Sequence, residues 1–169
     1  MEPNTELSVS KAQSGDQAAF LELYREVYKD LYRYALFVLK NRQDAEDVVA
    51  DTVADAFYGI QKLRSPGSFK AWIFKILSSK IKQKLKEYAR AKKEHTVYSE
   101  LQDHNDITAQ TEIFSILSHL SETEQQIILL SVIGRYTSAE IGQILSLNAA
   151  TVRSKLSRAL VKLRAFFTE

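Results

Sequence analysis

The 169-residue chain has no cysteine. That excludes a disulfide framework, a thiolate nucleophile and a thiolate zinc site. Its histidines, His95, His104 and His119, are dispersed and sit at no ligand spacing from other donors, so neither a metal nor a cofactor is expected. Five glycines and two prolines are too few for a turn-rich β fold and favour helices. No apolar run approaches the ~18 residues of a membrane span. The N-terminus has no basic start followed by an apolar run, so no stable membrane insertion is expected and the cytoplasm is the expected location. The net charge of +2 is too small to name a partner; its distribution along the chain says more.

The apolar periodicity predicts an all-α protein of two small helical domains joined by a flexible linker. Residues 1–7 read as a loose tail and 8–92 as the first domain. Within it, Asp16 is placed to cap a long helix running to about 40, in which Phe20, Tyr24, Val27, Leu31, Tyr34 and Val38 form one stripe. Asn41 can cap the next helix. Ser65-Pro66-Gly67-Ser68 forms a turn before a third helix from about Phe69 to about Arg90. Polar residues dominate 93–107, the expected linker, which could span roughly 50 Å at ~3.3–3.6 Å per residue. The second domain is 108–169. In it Ser121-Glu-Thr-Glu124 and Thr137-Ser-Ala-Glu140 are capping boxes, each opening a helix. A last helix is expected from about Ala149 to Phe166.

The stretch QDAEDVVADTVADAF, residues 43–57, holds five carboxylates: Asp44, Glu46, Asp47, Asp51 and Asp55. The next basic residue is Lys62, so the acids are expected to lack partners within the chain. At ~100° per residue Asp44, Asp47, Asp51 and Asp55 line one stripe, beside a core stripe of Ala45, Val48, Val49, Thr52, Val53, Ala56 and Ile60. A favourable helix dipole accounts for the acids at the start but not for Asp51 and Asp55. A catalytic carboxylate cluster has no supporting nucleophile, His or Gly-rich loop. A docking ridge for a basic partner remains, since unpaired charge of one sign steers association.

The following helix inverts the charge. Residues 70–93 carry Lys70, Lys75, Lys80, Lys82, Lys84, Lys86, Arg90, Lys92 and Lys93 against one acid, Glu87. They follow the Pro-Gly turn and the aromatics Phe69, Trp72 and Phe74. Basic residues can track phosphates while a neighbouring loop captures an unstacked base. Trp72 fits either that role or a core position.

The run YTSAEIGQILSLNAATVRSKLSRALVKLR, residues 136–164, reads as a short helix, a turn and a longer helix, the helix-turn-helix arrangement. Val152, Leu156, Ala159, Leu160 and Leu163 share one face of the last helix, and Ala150, Arg153, Ser154, Ser157, Val161 and Arg164 the other. The outward face is narrow, and its Arg side chains can bond guanine O6 and N7 in a fork. Arg158 and Lys162 flank it and could hold phosphates. From 149 to 164 there are five basic residues and no acid. Gly142 would let the two helices approach closely.

Several of these motifs carry a resemblance. Leu120-Ser-Glu-Thr-Glu-Gln-Gln-Ile127, Glu140-Ile141, Thr151-Val-Arg-Ser154 and Arg158-Ala159 are similar to the C-terminal domain of the extracytoplasmic-function sigma factors of bacterial RNA polymerase. Asp44-Ala-Glu-Asp47 resembles their aspartate-alanine-glutamate-aspartate helix, and Phe69-x-x-Trp72 their −10 segment. The resemblance covers about 8–166, with the motifs in the family's order.

The resemblance implies a non-enzymatic factor that binds core RNA polymerase and directs promoter-specific initiation. It places Asp44, Asp47, Val48, Asp51, Thr52 and Asp55 against the basic coiled coil of the β′ clamp. It places Ser65, Ser68, Phe69, Trp72, Lys75, Ser79, Lys80, Lys82 and Lys86 at opened −10 DNA, and Thr151, Arg153, Ser154, Ser157, Arg158 and Lys162 at the −35 element. It also implies an anti-sigma partner and a monomer when free. The chain departs from the family at Ala50, where glutamine is usual, and at Ser79 and Gln83, where asparagine and aspartate are usual. The alternatives are a stand-alone helix-turn-helix regulator, an enzyme using the carboxylates, and a sigma-derived interaction module.

Overall fold

The structure is a computed structural model that describes residues 3–94, 116, 117, 119–132 and 134–166. The described residues are helical, with short turns and no strand. The helices are α1 (Pro3–Gln13), α2 (Gln17–Leu39), α3 (Arg42–Gly59), α4 (Phe69–Glu94), α5 (Glu122–Val132), α6 (Ser138–Leu145) and α7 (Ala149–Phe166). The chain divides into two compact units. One is Met1–Leu85 with Gln143–Ser146, and the other is Lys86–Gly142 with Leu147–Glu169.

In the first unit the helix boundaries follow from local chemistry. The Asp16 carboxylate accepts from the Ala19 N–H at 3.1 Å, and Asn41 Oδ1 accepts from the Asp44 N–H at 2.9 Å. Each satisfies a donor left orphaned at a helix start. Lys40 ends α2 in the left-handed conformation, its N–H donating to Leu36 O. Leu23, Val27, Leu31 and Ala35 of α2 are buried with Ala45, Val49 and Ala56 of α3 and Ile73, Phe74, Leu77 and Ile81 of α4. Tyr34 meets Phe74 edge-on at 5.8 Å.

Residues 3–7 are not the loose tail expected of them: they open α1. Thr5, Ser8, Val9 and Ala12 form its buried stripe. Two of these are polar, so the apolar period does not register them. Gln13 then donates to Ile60 O and Leu63 O, at 3.1 and 2.7 Å, fastening the end of α1 to the segment after α3. The expected linker, 93–107, lies outside the described residues except for 93 and 94, which continue α4.

In the second unit both capping boxes form. Ser121 Oγ accepts from the Glu124 N–H while the Glu124 carboxylate accepts from the Ser121 N–H at 2.9 Å. Thr137 and Glu140 repeat the exchange. Asn148, in the turn between α6 and α7, caps α7 by accepting from the Thr151 N–H at 2.7 Å. The turn before it is tight. Ser146 is left-handed, the Leu147 N–H donates to Gly142 O at 2.8 Å, and a Cβ on Gly142 would stand 2.5 Å from Leu147 O. Gly142 is therefore needed for the close approach of α6 to the turn. Ile127, Ile128, Leu130, Ile141, Val152 and Ala159 are buried in this unit.

Candidate docking and nucleic-acid surfaces

The acidic helix α3 buries Ala45, Val48, Val49, Thr52 and Ala56. Val48 and Thr52, which the resemblance places at a docking surface, belong to the core. They are 6% and 0% exposed, and the Thr52 hydroxyl donates to Val48 O at 2.7 Å. The helical period assigns them to the core stripe, and packing follows the period rather than the motif.

The acids do not share one fate either. The expectation that they lack partners within the chain is wrong for three of them. Lys84 Nζ lies 2.8 Å from Asp44 Oδ1, and Lys80 Nζ lies 2.7 Å from Asp55 Oδ2. Arg42, one turn upstream, meets Glu46 at 3.2 Å. Asp47 accepts a neutral hydrogen bond from Gln43 at 3.1 Å, and both Asp47 and Asp51 are exposed with no cation beside them among the described residues. The ridge of unbalanced charge is thus narrower than the sequence suggests. Its two ends tie α3 to α4, and Asp47 and Asp51 between them face solvent.

On α4 the lysines divide accordingly. Lys75, Lys82 and Lys86 are exposed, whereas Lys80 and Lys84 are half-buried against α3. Ser79 is exposed. Phe69, expected at a nucleic-acid surface, is 1% exposed and belongs to the core. It is the first residue of α4 and the packed side of an aromatic pair, 6.2 Å from Trp72. Trp72 is half-buried, and its ring edge approaches Gly59 at the end of α3. It therefore combines the packing role with a part-exposed ring. In the loop before α4, Ser65 is exposed, and the Ser68 hydroxyl donates to Ser65 O at 2.7 Å, closing the Pro-Gly turn.

The last helix presents Arg153, Ser154, Ser157, Arg158 and Val161 to solvent. Thr151 is half-buried in the capped first turn. Arg153 and Ser157 have no polar partner among the described residues. The Arg158 guanidinium folds back on Ser154, with Nε 3.3 Å from its carbonyl and Nη2 3.3 Å from its hydroxyl. Leu160, expected on the packed face, is 45% exposed, beside Val161 at 66%.

Lys162, expected at a phosphate, is engaged inside the unit. Its Nζ lies 2.9 Å from Glu124 Oε1 and 3.0 Å from Oε2. Glu124 is 6% exposed and serves both the α5 cap and this pair. The Lys162 ammonium foremost, then the Ser121 N–H, holds its carboxyl at about 2, well below the ordinary 4.5. The folded value lies below the unfolded one, so this stabilisation is present above about 4.5 and is lost as pH falls towards about 2. Thermal melts across that window should show the wild-type melting temperature falling more steeply than that of Glu124→Gln. Parallel curves would remove Glu124 from the acid response.

Among the described residues no group of three His, Cys, Asp or Glu could hold a metal ion. The free aspartates on α3 suit a cationic partner, the exposed lysines of α4 a polyanion, and the α7 face a major groove.

Two family models match the chain in the order of these surfaces. Sigma-70 region 2 matches residues 23–91, and Sigma-70, region 4 matches residues 110–163. The chain belongs to the extracytoplasmic-function sigma factors of the sigma-70 family. As a sigma factor it is similar to the RNA polymerase sigma factor SigV of Bacillus subtilis, 28% identical over 143 residues, covering 83% of this chain and 86% of that one. It is 25% identical to the ECF RNA polymerase sigma factor SigW of the same organism, covering 97% of both chains. Its fold is similar to that of CnrH, solved in complex with the cytosolic domain of CnrY. The TM-score is 0.75 at 24% identity, covering 98% of this chain and 97% of that one. It is also similar to RpoE of Bartonella quintana, solved with the anti-sigma factor NepR. There the TM-score is 0.71 at 19% identity, covering 87% of this chain and 97% of that one. The region 2 match contains α3 and most of α4, and the region 4 match contains α5, α6 and most of α7.

Proposed function

We infer that this sigma factor binds core RNA polymerase and directs it to promoters, with residues 8–92 and 108–169 acting as two readers joined through 93–107. The exposed pair Asp47 and Asp51 docks on the basic coiled coil of the β′ clamp, and polymerase supplies the cations that the chain withholds from them. Asp44 and Asp55 border that contact and hold α4 in place. Opened −10 DNA runs along Lys75, Lys82 and Lys86, near the exposed Ser65 and Ser79 and the half-buried Ser68 and Trp72. Lys80 joins the strand only by leaving Asp55. The Asp55 end of that pair is exposed, so solvent already screens it and the exchange is modest in cost.

At the −35 element α7 enters the major groove. Arg153 reads a base, Ser154 and Ser157 allow close approach, and Arg158 and the first turn at Thr151 meet phosphates. Joining both readers in one chain raises the effective concentration of the second contact once the first is made. The protein supplies recognition and strand capture, and polymerase does the chemistry. It works in the cytoplasm as a monomer when unbound. An anti-sigma partner that covers the docking and DNA surfaces would switch it off, as the complexes of CnrH and RpoE suggest.

The single observation carrying this reading is the order of surfaces along one chain: an acidic helix with two free aspartates, a lysine-rich helix, then a capped helix-turn-helix. Run-off transcription from genomic fragments by core polymerase, with and without the chain, tests it.

A further inference from the structure

Beside the free aspartates, α3 carries a feature that the charge pattern does not explain. Tyr58 is 82% exposed, the highest value among the exposed large hydrophobic residues. At ~100° per residue, Asp47, Ala50, Asp51, Ala54 and Tyr58 fall within an arc of about 100°, and all five are exposed. The crest of α3 is therefore a strip with two alanines along one side, two carboxylates along the other and one aromatic ring at its end.

That ring is supported from below. Phe57 meets Tyr58 edge-on at 5.5 Å, and the buried Phe20 of α2 meets Phe57 edge-on at 5.1 Å. A Tyr held on an aromatic relay loses little freedom on binding, and Tyr is among the residues that dominate interface energetics. The alanines leave room for a partner backbone to approach. Among the described residues, the cations of α4 reach Asp44 and Asp55 but not this strip, so it keeps its negative charge.

We propose that Tyr58 is the aromatic anchor of the polymerase contact, and that Ala50 and Ala54 form the seat for a basic α-helical segment whose cations face Asp47 and Asp51. The proposal rests on the docking reading above and deepens it. Charge complementarity selects the occupant: an acidic strip repels nucleic acid and fits a cationic helix, whose Arg or Lys can also lie over the Tyr58 ring. The departure at Ala50 then becomes part of the design, since a small residue there admits the partner more closely.

The test is titration of core polymerase with the fluorescently labelled full chain over a range of salt concentrations. Tyr58→Ala should weaken binding about tenfold or more, as for an interface hot spot, with the salt dependence kept because no charge is lost. Tyr58→Phe should recover most of that loss. Asp47→Asn with Asp51→Asn should weaken binding and flatten the salt dependence. The melting temperature of Tyr58→Ala should match the wild type, because the ring is solvent-exposed. If the Asn pair weakens binding and Tyr58→Ala does not, the anchor is refuted and the docking ridge stands. If neither matters, both fall. If Tyr58→Ala binds polymerase normally but loses opened promoter DNA, the ring stacks on a base and the anchor is equally refuted.

Discussion

Replacing Asp47 and Asp51 together by lysine is expected to abolish binding to core polymerase while leaving the chain's affinity for −35 DNA within about twofold. These acids are exposed and have no cation beside them among the described residues, so their field is available to a partner. Two unit charges 4 Å apart interact by about 4 kcal/mol at the effective dielectric near a protein surface. Reversal converts attraction into repulsion, so even one such contact changes affinity by several hundredfold or more. The fold should survive, because neither side chain is part of the core. Asp44→Lys or Asp55→Lys is a different experiment, since each would place a cation against Lys84 or Lys80 and disturb α4 as well. The check is a polymerase pull-down beside a −35 duplex titration of the same variant. Undiminished holoenzyme formation would disprove the docking role of these aspartates.

The second large effect is expected at Arg153. It is exposed and its side chain has no polar partner among the described residues, whereas Arg158 is folded onto Ser154 and Lys162 is tied to Glu124. Among the described residues, Arg153 thus presents a free guanidinium fork on the exposed α7 face for a guanine edge. Arg153→Ala should cost about 1–3 kcal/mol at the cognate −35 site and relax preference at one base-pair position. Titrations against a set of single-base variants of the site would show it. An equal loss on every sequence would reassign Arg153 to a phosphate.

What was legible in the sequence was local. Asp16, Asn41, Ser121 with Glu124, and Thr137 with Glu140 all cap the helices expected of them. A cap is decided within three or four residues, and the chain order supplies those. The limits of α7, Ala149 and Phe166, follow from the same economy of apolar period and turn. Most of the missed charge pairings were tertiary. Lys80 and Lys84 reach acids on another helix, and Lys162 reaches Glu124 across its unit. No local pattern encodes those three pairings, whereas the overlooked Arg42–Glu46 pair lies one helical turn apart and is of the kind that local spacing does encode. Glu124 shows both cases in one side chain: its capping role was readable, its pairing with Lys162 was not.

Val48, Thr52 and Phe69 teach a separate lesson. A family motif groups residues by sequence, and buried members hold the helix that carries the exposed ones. The helical period separated Val48 and Thr52 from the ridge, and their burial agrees with the period. Leu160 erred in the other direction, since α7 turns an apolar edge of Leu160 and Val161 to solvent.

The central claim is that one chain, by holding negative charge towards polymerase and positive charge towards DNA, carries the enzyme to a promoter. Run-off transcription on genomic fragments addresses it most directly. Core polymerase alone should give no discrete transcript. Addition of the chain should give discrete starts downstream of a shared pair of elements, and the Asp47→Lys, Asp51→Lys variant should give none. Unchanged initiation in the presence of the wild-type chain, with the chain instead binding a pseudo-palindrome without polymerase, would contradict the account.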